Sequence, residues 1–165
     1  MYDVFNSDQW SRIALDHLKT SCLIMREGVF PSNKRDGYIP RSLLRRVMSG
    51  LYLHDQSISN VYELFDAVSV NLDDRDLTEN AMPIMKAWLE SEVKRFERVL
   101  NNANKYLSKY SFDDSRLDAT YAFDLTSTYG IPFEFLQEYC IQNSYKFDID
   151  GYNELRHEHQ RKSKS

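Results

Sequence analysis

The residues best suited to chemistry lie in one stretch, GVFPSNKRDGYIPRSLLRR, at positions 28–46. Lys34, Arg35, Arg41, Arg45 and Arg46 supply its cations, against the single carboxylate of Asp36. The chain as a whole has 21 basic and 25 acidic residues and a net charge of -4, so the charge outside this stretch is strongly acidic. Guanidinium groups present flat forks of N–H donors that match phosphate oxygens. Arg41 and Arg45 stand four apart, which puts them on one face of a helix, with Arg46 beside them. Asn33, within the polar turn PSNKRDG, carries an amide that both donates and accepts, as reading a base edge requires. Cations that grip phosphate beside such an amide make a nucleic-acid site. A solvated basic face answering acidic helices nearby accounts for the same charges, and charge alone leaves both readings open.

Other chemistries find little support. The five glycines, at 28, 37, 50, 130 and 151, are too scattered to form a phosphate-cradling loop. His157 and His159 are two apart and point to different sides of a helix, a poor metal pair, and neither cysteine has a zinc-ligand partner at the right spacing. Cys22 and Cys140 fall in apolar helical patterns and are expected as buried free thiols, consistent with a reducing, cytoplasmic setting. His17 is expected as a partly buried, hydrogen-bonded side chain. No spacing marks two carboxylates as acid and base. Neither a catalytic residue nor a metal site is therefore expected in this chain. No apolar run approaches the roughly 20 residues of a membrane span, so no membrane partner is expected. The opening MYDVFNSDQW lacks the charged and apolar regions of a signal peptide.

The elements that must position these residues are helical nearly throughout. Trp10, Ile13, Ala14, Leu18, Cys22 and Met25 recur at helical steps over 8–27, with Asn6 or Ser7 as cap, and Gly28 and Pro31 end the run. A second helix starts near Pro40, and a third spans about 58–70. The longest covers 81–110. Its apolar stripe of Leu89, Val93, Phe96, Leu100, Ala103, Leu107 and Tyr110 suits either the domain's own core or a coiled coil. Glu90 and Lys94 form an i,i+4 pair on its other side. After the connector SFDDSRLD, Asp118 caps a helix at 119–128, Gly130 and Pro132 lead into one at 132–143, and Asp148 caps a last at 149–160. The expected fold is all-α: one helical domain over 1–165 with a long central helix and shorter packed ones, a recognition turn at 28–40 and a frayed basic tail at 161–165.

Two blocks of this chain resemble the tRNA-recognition region of the class II alanyl-tRNA synthetase family. In that family a helix containing ADHIR leads into GV-x-PSN-x-x-x-GY and an arginine-rich helix. The counterpart here is ALDHLKTSCLIMREGVFPSNKRDGYIPRSLLRRV. The family's long charged helix is followed by AF-x-LYDTYGFP, and here EVKRFERVLNNANKYL precedes AFDLTSTYGIP. The closing YNELRHEHQRKSKS is similar to the family's F-x-x-x-M-x-x-QR helix. The resemblance runs from about residue 10 to 162.

The resemblance implies a tRNA acceptor-stem recognition domain of an alanine–tRNA ligase, separate from the ATP-dependent aminoacylation site and the zinc-bearing editing domain. This segment would then hold no cofactor itself. Its partners would be the tRNA acceptor stem and the other domains of the parent synthetase. Asn33 inherits the role of the family's PSN asparagine in reading the G·U wobble pair, and Lys34, Arg35, Arg41, Arg45 and Arg46 would hold backbone phosphates. The second wobble reader of the family is the Asp of LYDTYG, and Ser127 stands in its place, with Thr126 for the Tyr. Pro40 and Ser42 also depart from the arginine helix. The acidic bulk, the missing Asp and the stripe at 89–110 fit an alternative, a helical protein-interaction module of a synthetase paralogue that has lost specific tRNA recognition.

Overall fold

The computed structural model describes residues 8–32, 35–72 and 81–164. Among them are seven helices: α1 (Asp8–Arg26), α2 (Tyr38–Leu53), α3 (Asn60–Val70), α4 (Met82–Lys109), α5 (Ala119–Ser127), α6 (Phe133–Gln142) and α7 (Ile149–Lys164). The fold is all-α apart from two short strands, β1 (Arg116–Leu117) and β2 (Lys146–Phe147). The chain divides into two compact units, Met1–Glu97 and Arg98–Ser165, with the boundary inside α4.

In the first unit α1 packs against α2 and α3, and α2 also meets α3. Its core takes one face of each helix: Leu18, Cys22 and Met25 from α1, Leu44, Met48 and Leu51 from α2, Val61 and Phe65 from α3. Met85, Leu89, Val93 and Phe96 add the α4 stripe of this unit. Gly28 ends α1 with φ of 84°, the left-handed conformation that costs glycine nothing. Pro40 sits in the first turn of α2, where a missing N–H breaks no intrahelical bond. Trp10 presses its indole onto Gly50 in the last turn of α2, leaving no room there for a Cβ. Ile13, expected in the core, is 44% exposed instead.

In the second unit Leu100, Ala103, Leu107, Leu117, Ala122, Leu125, Phe135 and Leu136 form the core. α5 packs on α7 and α6. Asp118 caps α5 by accepting from the Tyr121 N–H at 3.1 Å, and Asp148 accepts from the Gly151 N–H at 3.1 Å in the first turn of α7. Gly130, with φ of 69°, turns the chain from α5 towards α6. β1 and β2 pair in parallel, Arg116 with Lys146 and Leu117 with Phe147. This two-residue ladder has no counterpart in the sequence reading, because two residues are too few to show an alternating pattern. α7 continues to Lys164, past the expected end at 160 and through most of the anticipated basic tail. Lys162 pairs with Glu158 one turn back at 2.7 Å and Ser163 bonds the His159 carbonyl, so this turn supports its own helix.

The stripe on α4 is core rather than an open seam, since Leu89, Val93, Phe96, Leu100, Ala103 and Leu107 are all buried. Glu90 and Lys94 lie on the solvent side, joined at 2.8 Å. Each shifts the other's titration: the ammonium lowers the carboxyl pKa and the carboxylate raises that of the lysine. Cys22 and Cys140 are buried free thiols, and desolvation pushes both up to about 11.

Candidate nucleic-acid interface

The turn between α1 and α2 is tied at its base. The Ser32 N–H donates to the Gly37 carbonyl at 2.9 Å, closing the chain across the tip. Gly37 is buried against Ser32 and the Phe30 carbonyl so closely that a Cβ would collide with both. Phe30 stacks on Trp88 of α4 with ring centroids 5.3 Å apart. Ser21 of α1 donates to the Pro40 carbonyl at 3.3 Å, joining the end of the turn to the preceding helix. Asn33 and Lys34 lie outside the described residues. Arg35 follows them at φ of 39°, a left-handed conformation that costs a non-glycine residue about 1 kcal/mol. Its side chain is exposed, as are those of Tyr38 at 60% and Ile39 at 51%.

The arginines of α2 part company in the structure. Arg41 and Arg45 both donate through Nε to one oxygen of Glu92, at 3.0 and 2.7 Å. Glu92, on α4, retains 1% of its side-chain exposure, against 17% for Arg41 and 10% for Arg45. Arg45 also lies over the Phe96 ring, 5.6 Å from its centroid. Its burial lowers the guanidinium pKa, opposed by the hydrogen bond and charge of Glu92. Arg45 was expected on an outward basic face and is instead a buried brace. Arg46 is half-buried, with Nη1 3.5 Å from Nε2 of His17, the partly buried, hydrogen-bonded histidine that the sequence implied. The structure thus brings Arg41 and Arg45 together on one carboxylate and directs Arg46 to α1.

Glu92 was missed by the sequence reading, which noted only its neighbours Glu90 and Lys94. The signal was present: position 92 is three residues after Leu89 and four before Phe96, so it falls on the buried side of α4. A carboxylate there must find cations, since an unpaired buried charge is costly. Its other oxygen, Oε2, is buried without a hydrogen-bond partner, and Arg95 Nη1 lies 3.8 Å from it.

Ser127 belongs to the second unit and closes α5 with an exposed side chain. Its hydroxyl donates to the Phe123 carbonyl at 2.7 Å, so its proton is committed to its own helix and the oxygen is left to act as an acceptor. Thr126 also bonds the Phe123 carbonyl, at 3.0 Å, and its hydroxyl accepts from Tyr152 at 3.0 Å. Asp124, one turn before Ser127, is an exposed carboxylate held by the Thr128 hydroxyl at 2.8 Å. Among the described residues no cluster of histidine, cysteine and carboxylate side chains could hold a metal ion, and no helix is long and apolar enough to cross a membrane.

The family of class II tRNA synthetases of the alanine type matches residues 2–165. The chain is 31% identical over 155 residues to the alanine–tRNA ligase of Thermotoga petrophila, a match that covers 93% of this chain and 18% of that protein. It is 30% identical over 162 residues to the enzyme of the same name from Ureaplasma parvum, covering 93% of this chain and 17% of the relative. With that of Borreliella afzelii it shares 30% over 172 residues, or 96% of this chain and 28% of the other. The chain thus spans less than a third of the length of each of these relatives. With nearly its whole length matched, the chain belongs to the class II tRNA synthetases of the alanine type.

Proposed function

We propose that this chain is a tRNA acceptor-stem recognition segment of an alanine–tRNA ligase, working in the cytoplasm beside the other domains of its parent enzyme. The observation that carries the proposal is the run from Gly28 to Arg46, in which a turn tied at its base leads directly into an arginine helix. Asn33 reads a base edge, and Ser127, exposed and with its proton committed to its own helix, offers an acceptor to a guanine amino group. Lys34, Arg35, Arg41 and Arg46 meet backbone phosphates. Arg45 supports them from beneath, since its guanidinium is spent on Glu92. Aminoacylation with ATP, and zinc-dependent editing, belong to other parts of the parent enzyme, so this segment contributes grip and selection rather than catalysis. The competing reading, a protein-interaction module, loses one of its three arguments because the α4 residues Leu89 to Leu107 of the stripe are buried within the chain, while the acidic bulk and the missing Asp stand.

The test is a fluorescence titration with an acceptor-stem hairpin of alanine tRNA at two salt concentrations. Tight binding at low salt that weakens steeply at high salt is expected. Arg35→Ala with Arg46→Ala is expected to reduce both affinity and salt dependence. Absence of binding at low salt, or no response to that pair of substitutions, refutes the proposal.

A further inference from the structure

We propose that Arg41 and Glu92 form a prepared site for a phosphate-class oxyanion, with Arg41 as the binding residue and Glu92 as the positioning residue behind it. The site deepens the acceptor-stem reading and rests on it for the natural ligand, which is then a backbone phosphate of the RNA.

The geometry points to an anion in three ways. Arg41 meets Glu92 through Nε, at 3.0 Å, so the carboxylate holds the inner edge of the guanidinium and leaves the outer nitrogens unused. Among the described residues Arg41 makes no other hydrogen bond or ion pair, so its Nη donors have no protein partner. Its side chain is still 17% exposed, enough for an anion to approach from solvent.

The carboxylate is also fixed from its other side. Arg45 donates Nε to the same Oε1 at 2.7 Å and is held in turn over Phe96 at 5.6 Å. Glu92 itself is 1% exposed. Arg41 and Arg45 share Oε1, with Arg95 3.8 Å from Oε2, so the group keeps a net positive charge, and of the two guanidiniums hydrogen-bonded to Glu92 Arg41 is the more open to solvent. A fork anchored on a rigid carboxylate is oriented before the anion arrives, so little side-chain freedom is lost on binding.

A positioning role and simple charge repulsion predict opposite signs. Glu92→Gln removes a negative charge close to the anion, so a purely repulsive Glu92 would on removal tighten binding. A positioning Glu92 would on removal loosen it.

The experiment titrates the chain with inorganic sulfate, following the arginine Nε–H resonances by NMR, and then with the acceptor-stem hairpin. In the unsubstituted protein a saturable shift of the Arg41 resonance is expected. Glu92→Gln is expected to weaken sulfate binding about tenfold, the loss of one charge-assisted hydrogen bond's orienting effect. Glu92→Asp should recover part of that loss. Arg41→Lys keeps the charge but not the fork, and is expected to lose about as much as Glu92→Gln. It serves as the test should Glu92→Gln fail to fold. Unsaturable sulfate binding, or equal or tighter binding by folded Glu92→Gln or by Arg41→Lys, overturns the site. Sulfate binding at Arg41 without any RNA binding upholds the site and refutes the acceptor-stem reading. RNA binding with no response at Arg41 does the reverse, and a protein that binds neither refutes both.

Discussion

Arg45 and Glu92 meet at 2.7 Å with 10% and 1% of their side chains exposed, and this buried pair joins α2 to α4 inside the first unit. Glu92 accepts from Arg41 with the same oxygen, so one carboxylate organises two of the arginines that the sequence places on a basic helix. Removing Arg45 leaves a buried carboxylate with Arg41 as its one remaining hydrogen-bonded cation among the described residues.

Arg45→Ala is therefore expected to destabilise the protein by about 3 kcal/mol, the low end for a broken buried pair because Arg41 remains on Glu92. Arg45→Met, which keeps the packing on Phe96, should cost less. Urea unfolding followed by circular dichroism measures both, and a loss below 0.5 kcal/mol (roughly that of a surface substitution) would refute the buried brace.

Gly50→Ala runs against helix propensity. Alanine in a helix interior normally gains about 1 kcal/mol over glycine. Here the new methyl meets the Trp10 indole. Overpacking of this kind costs about 1–3 kcal/mol, so a lower melting temperature is expected where propensity alone predicts a higher one.

Cys22 and Cys140 are expected to resist thiol reagents at pH 8 while the chain is folded and to react quickly once it unfolds. Burial raises both pKa values from 9.0 to about 11, so the reactive thiolate is scarce in the folded state. The linkage has a definite sign. Between those values the unfolded thiols lose protons that the folded ones keep, so the unfolded state binds fewer protons and stability falls as pH rises. The contribution is intact below pH 9 and is lost towards about 11, which unfolding midpoints across that range will show.

Ser127→Asp tests the exchanged position in α5. The carboxylate sits at the last residue of the helix, where it opposes the macrodipole and should cost about 0.5 kcal/mol of stability. In return it restores a strong acceptor for a guanine amino group. Discrimination between G·U and G·C acceptor stems is expected to rise by about 1–3 kcal/mol, read from paired titrations of the two hairpins.

Much of the fold was legible in the sequence because helices are written locally. The stops at Gly28 and Gly130, the caps at Asp118 and Asp148 and the pair Glu90–Lys94 all involve residues within one turn of each other, and each is found in the structure. The α4 stripe was equally plain, since a period of three and four needs only counting. The parallel pairing of Arg116 with Lys146 was not legible, because its partners are 30 residues apart and each strand is two residues long.

For the candidate site, the sequence by itself determined the cations, the polar turn and their order along the chain, and with these the family resemblance. Only the tertiary structure decided how those cations differ. Arg41, Arg45 and Arg46 look alike as letters on one helix, yet one holds open donors, one is buried on Glu92 and one turns to His17. The reason is physical: a charge's role depends on what lies across from it and on how much water reaches it. Both are set by the packing of α4 and α1 against α2, through contacts between residues far apart in the chain.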